Sequence, residues 1–296
     1  MNRVFQPVFY FLITVLFALL IFTGTAVAEH QGVSHEMIDM AEEIDAVPGY
    51  EDPKDAKRDW TLSIGFIGGV KPEYEGSDDY GFGMGPKLAG SWRDILFFKG
   101  KTFGANLVRE KNLKAGPVLS WAGGRDEDDD DKLEGLGDVD GSIEAGGFIS
   151  YRKKPYRFKL EARHDINSGH EGGLVELSVG TSLSFKKQPI LATLGTTWAS
   201  DDYMESFFGV SSKQSANSGL KRYDADAGIK DISLSLTAGY KISSDCDWRL
   251  GGKVEYKRLV GDAGDSPIVE DENQFLAGIG ISYHFGSKVR PDDLNE

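Results

Sequence analysis

The 296-residue chain is poor in cysteine, proline and histidine, with 1, 10 and 5 of them, respectively. One cysteine, Cys246, excludes an intrachain disulfide. A mean hydropathy of -0.32 excludes a bundle of membrane-spanning helices. The chain also lacks a G-x-S-x-G motif, a phosphate-binding loop and the spacing of metal ligands. These absences argue against an enzyme, and they predict no cofactor and no bound metal.

Basic residues are also scarce, because 33 Lys and Arg stand against 47 Asp and Glu, for a net charge of -14. Binding to nucleic-acid phosphates needs clustered Lys and Arg, so we expect no nucleic-acid partner. The best catalytic arrangement would combine His170 with Asp165 and Glu171. A structural histidine in a glycine-rich loop is the simpler interpretation, and we prefer it.

Residues 1–28 have the organisation of a secretory signal. Arg3 supplies the positive end, residues 8–22 are apolar, and Ala26-Val27-Ala28 is a cleavage site of the A-x-A kind. The alternative is an uncleaved anchor, since no charge lies between Arg3 and Glu29. We predict export through a cleaved signal peptide.

Residues 29–58 are polar and acidic, and we interpret them as a periplasmic linker. Within them, five apolar residues could form one face of a short helix: Met37, Ile38, Met40, Ala41 and Ile44. Such a helix could instead dock a periplasmic partner.

From Trp60 onward, apolar and polar residues alternate with period two, which predicts strands with two unlike faces. In the last strand, for example, Phe275, Ile279 and Phe285 share one face and small or polar residues occupy the other. About twelve such segments of roughly ten residues fit, the length of a tilted strand that crosses a bilayer. The predicted fold class is all-β. We predict that residues 59–285 form an antiparallel transmembrane β-barrel and that residues 286–296 form a C-terminal tail.

The connections between these segments are of two kinds. Short turns at 91–94, 109–114, 152–155, 186–189 and 243–247 mostly carry Lys or Arg. Longer, mostly acidic loops lie at 72–80, 123–140, 165–173, 200–231 and 261–273. Short periplasmic turns and long extracellular loops are typical of outer-membrane barrels, whereas a soluble sandwich does not sort loop lengths in this way.

Motifs in the long loops resemble those of the MipA/OmpV family of outer-membrane proteins, in the same order. The first is PEYEGSDDY, followed by GLGDVD, WASDDYM with FFGV, YDADAGIKD and GDAGDSPIV. The residues that carry the resemblance are Glu73, Tyr74, Glu75, Gly76, Ser77, Asp78, Asp79, Tyr80, Asp201, Asp202, Tyr203, Asp224, Asp226, Asp265, Ser266 and Pro267.

The resemblance implies a barrel in the outer membrane of a Gram-negative bacterium, in contact with lipid and lipopolysaccharide. It also implies a scaffold that joins a lytic murein transglycosylase to a penicillin-binding protein. Osmotic adaptation, antibiotic response and adhesion are alternative roles within the family. The tail after Phe285 departs from the family, which usually ends at the terminal aromatic residue.

Charged residues on the polar faces of the strands are predicted to line the lumen, because charges are excluded from lipid. They are Glu144, Arg157, Lys159, Glu161, Arg163, Glu176, Arg249, Lys253, Glu255 and Lys257. Opposite charges could pair and fill the lumen as an ion-paired plug, or the lumen could be a narrow pore or a small-solute site. We favour the ion-paired plug, since twelve strands enclose little more than side chains.

The acidic run from Asp126 to Asp131 superficially suggests a calcium site, but six consecutive acids lack the spacing of a calcium loop. A solvated extracellular loop is the preferred interpretation. The alternative is that divalent cations bridge this loop to lipopolysaccharide phosphates.

Overall fold

The computed structural model describes Met37, Met40 and residues 58–185, 188–242 and 247–287. The proposed signal peptide, the tail from residue 288 and the linker apart from Met37, Met40 and Arg58 lie outside the described residues. In the part of the chain that is described, no helix is long and apolar enough to cross a membrane.

The fold is a closed antiparallel barrel whose wall has twelve strands, as predicted. Both ends of the sheet meet, because β1 pairs with β13 and β4 pairs with β6. A thirteenth strand, β5, has two residues and lies beside β6. The strands are β1 Trp60–Pro72, β2 Tyr80–Trp92, β3 Leu96–Lys99, β4 Thr102–Ala105, β5 Val108–Arg109, β6 Leu113–Ala122, β7 Ser142–Lys153, β8 Tyr156–Asp165, β9 Gly173–Phe185, β10 Gln188–Ala199, β11 Gly228–Lys241, β12 Trp248–Leu259 and β13 Asn273–Gly286.

Alternation in the sequence sets the two faces of the wall. On β1, Phe66 is 72% exposed while its neighbour Ile67 and the nearby Ser63 are buried. On β13, Ile279 is 69% exposed and Ser282 is fully buried. Apolar side chains therefore point mainly to the outside of the barrel, as is typical of outer-membrane barrels, and polar side chains point mainly into it.

Two details differ from the prediction. The β3–β4 connection, Gly100–Lys101, is directed towards the long-loop side of the barrel yet has only two residues, and β3 and β4 have four residues each. Three short helices also lie within segments that were predicted only as long loops: Asp201–Phe208, Ser212–Ser218 and Gly261–Gly264. Each has at most about two turns, which is too short for a clear 3.6-residue period.

The long loops pack together over one end of the barrel. We call segments 73–79, 123–141, 166–172, 200–227 and 260–272 the cap. It contains one buried cluster around Met204, Phe208 and Leu259 and another around Tyr74 and Ile268. At the opposite end lie short turns and both ends of the barrel chain, so the cap is the extracellular end.

Candidate functional site

The first part of the charged interior lies at a β-bulge between β10 and β11. Thr197 of β10 pairs with Asp231 of β11, whereas the next residue, Trp198, pairs with Ile229, so Lys230 is the extra residue. A bulge turns side chains out of strict alternation. Lys230 and Asp231 are consequently both buried, and their side chains form an ion pair with an Nζ–Oδ2 distance of 3.1 Å.

Glu75, which lies in the first loop of the cap, contacts Lys230 of this bulge. Its Oε1 accepts hydrogen bonds from Lys230 Nζ at 2.6 Å and from Lys257 Nζ at 3.2 Å. Burial tends to raise the pKa of the Glu75 carboxyl, but the two ammonium groups more than offset this effect and lower the pKa to about 2. Glu75 is therefore ionised at neutral pH and connects the first loop to β11 and β12.

A second charged group surrounds Arg163 on β8. Its guanidinium contacts the carboxylates of Glu144, Glu161 and Glu176 on three neighbouring strands. Lys159 adds an ion pair to Glu161 at 2.9 Å. Five of the ten residues predicted for the lumen thus meet in one network, which joins β7, β8 and β9 on their inner face.

His170 extends this network into the cap. Its Nε2 lies 3.1 Å from Glu144 Oε1, and both side chains are buried. Its Nδ1 accepts a hydrogen bond from the backbone N–H of Gly172, so Nε2 carries the proton and donates to Glu144. Asp165 instead accepts from the backbone N–H of Glu171. His170 therefore connects its loop to Glu144 on the barrel wall.

The remaining predicted residues lie on β8 and β12. Lys253 and Glu255 on β12 form an ion pair at 2.7 Å, and Lys257 binds Glu75 as described. Arg249 is buried, and Arg157 is partly buried. Sequence reasoning missed Lys230, Asp231 and His170 as members of the charged interior. The bulge hid the first two, since strict alternation puts only one of two consecutive residues inside.

The loop motifs meet in the cap through their aromatic and hydroxyl members. Tyr74 Oη donates to the Ile268 carbonyl at 2.8 Å, and Ser266 Oγ donates to the Phe208 carbonyl at 2.6 Å. Burial and the nearby carboxylate of Glu270 raise the pKa of Tyr74, which keeps this hydroxyl protonated as a donor. Motifs that are far apart in sequence therefore form one packed unit.

Gly76 and Ser77 hold the first loop against its neighbours. Gly76 has a φ of 112°, a conformation that favours glycine, and its carbonyl accepts hydrogen bonds from the backbone of Glu270 and Asp271. Ser77 is fully buried and its Oγ donates to Asp130 at 3.1 Å. Tyr203 is half-buried beside Lys230.

Most acidic members of the motifs face solvent. The exposed ones are Glu73, Asp78, Asp79, Asp201, Asp202, Asp224, Asp226 and Asp265, and Tyr80 is also exposed; Pro267 is partly buried. Asp201 and the nearby Asp262 accept backbone N–H groups of other cap residues. The acids therefore make the outer surface of the cap negative, while the other motif residues hold it together.

The acidic run folds into two short 3-10 helices, Glu127–Asp129 and Asp131–Leu133. Asp130 accepts the backbone N–H of Lys132, and Leu133 is buried in the cap. Among the described side chains, no group of three or more His, Cys, Asp and Glu residues is placed to hold a metal ion.

Comparison with known proteins gives one family. A family model described as MltA-interacting protein MipA matches residues 64–285. The MltA-interacting protein of Escherichia coli K12 is 36% identical over 92 residues, which cover 31% of this chain and 36% of that protein. OmpV of Vibrio cholerae is 32% identical over 133 residues, or 42% of this chain and 46% of that protein. The chain thus spans less than half the length of these relatives.

Among solved structures, the COG4313 outer-membrane channel of Pseudomonas putida F1 is 12% identical and aligns with a TM-score of 0.40. The alignment covers 79% of this chain and 100% of that one.

Proposed function

Because the chain belongs to the MltA-interacting protein family, we propose that it is an outer-membrane scaffold for murein-cleaving and murein-synthesising enzymes. An MltA-type lytic transglycosylase is the first partner, since the Escherichia coli relative is named for that interaction. A penicillin-binding protein is the second. The supporting observation is the interior, where opposite charges pair beneath a packed cap. Such a barrel suits an anchor better than a wide channel.

The periplasmic rim offers a surface for such partners. Exposed basic residues on three short connections form it: Arg93, Arg109, Lys111, Arg152, Lys153 and Lys154. Their charge is opposite to the net charge of the chain and to that of the cap surface. A basic rim attracts an acidic partner and speeds association, with an effect that salt weakens.

Binding of purified MltA to the detergent-solubilised protein tests this proposal. We expect saturable binding whose association rate falls about tenfold in the double variant Lys111→Glu with Lys153→Glu. The matched control reverses two exposed lysines of the cap, Lys213→Glu with Lys221→Glu, and should bind like the parent. Absence of binding, or an equal loss in the control, would contradict a scaffold that acts through the periplasmic rim.

A narrow pore or small-solute site is the competing function. Lys253 and Lys257 on one strand favour it, because a cationic stripe can select anions. In planar bilayers we expect no stable conductance from the parent protein. Steady conductance that is abolished by Lys253→Glu with Lys257→Glu would favour the pore instead.

We also infer that residues 1–28 are removed during export. Their positive end, apolar centre and A-x-A site support this inference. N-terminal sequencing of the protein from outer membranes should begin at Glu29, and a start at Met1 would contradict cleavage.

A further inference from the structure

The inner face of the barrel carries a small apolar patch that breaks its polar character. Ile67 on β1 and Leu191 on β10 are buried on the inner face, and Leu276 on β13 packs with them. We call these three residues, with Gly278, the inner patch. An apolar side chain that faces a polar, charged lumen needs an apolar partner to keep it from water.

Met37 and Met40 supply that partner. Both lie in helical conformation with exposures of 0% and 1%, and they form a single buried cluster with the inner patch. In the sheet order, β13, β12 and β11 lie between β1 and β10. A cluster that includes Ile67 and Leu191 therefore reaches across the lumen, and the two methionines bridge it.

The inner patch is shaped for Met40 at one position. A Cβ atom at Gly278 would lie 2.6 Å from Met40 Sδ and 3.2 Å from its Cε, so a side chain there would displace the methionine. Methionine is flexible and fits irregular apolar surfaces. Glycine at position 278 thus leaves room for the methionine side chain.

We propose that Met37 and Met40 form an internal plug of the barrel and that the inner patch is their binding site. The occupant belongs to the same chain and precedes β1, which begins at Trp60 at the periplasmic end. The i, i+3 spacing puts both methionines on one helix face, as such a contact requires. The plug goes beyond the proposed scaffold role, because it is a contact within the chain in which no partner protein takes part.

Disulfide trapping in intact outer membranes tests the contact. In a Cys246→Ser background, Met40→Cys with Gly278→Cys should form a disulfide in most molecules after mild oxidation. The control pair, Met40→Cys with Ile279→Cys, moves the second cysteine by one residue to the exposed face and should remain reduced. Met40→Cys with Leu276→Cys repeats the test without altering the glycine. Equal yields in inward and outward pairs, or no inward disulfide in a barrel that folds, would overturn the plug.

Labelling gives an independent measure that does not need a second cysteine. Met40→Cys in the Cys246→Ser barrel should react with a membrane-impermeant maleimide at least about tenfold more slowly than in denaturant. Adding Gly278→Met should restore fast labelling, whereas Gly252→Met, whose side chain would meet Ile279 on the outer face, should not. Fast labelling in the parent barrel would contradict the plug. Neither readout uses a murein enzyme, so the plug proposal can fail while the scaffold proposal still stands.

Discussion

In the wall of the barrel, apolar side chains face outward and charges face inward, whereas in the cap this order is reversed. Ile279 of β13 is 69% exposed, while Ile268, eleven residues earlier in the cap, is fully buried. The same residue type therefore occupies opposite environments within one short stretch. We expect lipid to be the apolar phase that surrounds the wall, whereas the cap has a buried apolar core of its own.

The two regions also differ in the reach of their contacts. Most strands of the wall pair with the strands before and after them in the chain. In the cap, Tyr74 and Ile268 are 194 residues apart, and Glu75 and Lys257 are 182 residues apart. The cap therefore joins the first loop of the barrel sequence to the last one, and Glu75 connects the cap to the wall.

This difference explains what the sequence could predict. Period two identifies strands such as β13, and loop lengths give the orientation, because both depend on neighbouring residues. The Glu75 contacts join residues that nothing in a single sequence relates, and the Lys230 bulge departs from alternation. For Met37 and Met40, the sequence predicted a possible helical face but not its binding site. The linker over residues 29–58 stays a prediction, while Met37 and Met40 within it are buried.

The largest effect should follow when a charged residue replaces an apolar one on the outer face of the wall. Ile279→Arg places a charge on the lipid face at the middle of β13 and should cost about 2–4 kcal/mol. Folding into lipid vesicles, followed by the shift of unheated samples on gels and by urea titration, measures the loss. Ile279→Leu keeps the surface apolar and should fold like the parent. Full tolerance of arginine would mean that this face does not contact lipid.

An effect of intermediate size is expected on acidification, which should loosen the cap while the wall stays folded. The folded pKa of Glu75, about 2, lies below its ordinary value of 4.5, so ionised Glu75 favours the docked cap. This stabilisation is fully present above about pH 4.5 and is lost as pH falls towards 2. We expect protease cleavage within the cap to increase through this window before the barrel unfolds.

Glu75→Gln is the control for this acid response. The variant keeps the shape of the side chain but cannot titrate, so its cap should be looser at neutral pH and should change less between pH 4.5 and pH 2. An unchanged pH profile in the variant would show that other acids, such as Glu270, control the docking of the cap.

The smallest effect should arise within the cap itself. Tyr74→Phe removes the hydroxyl that donates to the Ile268 carbonyl, and it should cost about 0.5–1.5 kcal/mol in local stability. Hydrogen exchange should rise in segments 73–79 and 260–272 while the wall is unchanged, because cap and wall have separate apolar environments. Tyr240→Phe, on the exposed face of β11, should leave both regions as they were. If Tyr74→Phe instead speeds exchange in β13 as much as in the cap, the two regions open as one cooperative unit, and Glu75 couples them more strongly than one ionised side chain suggests.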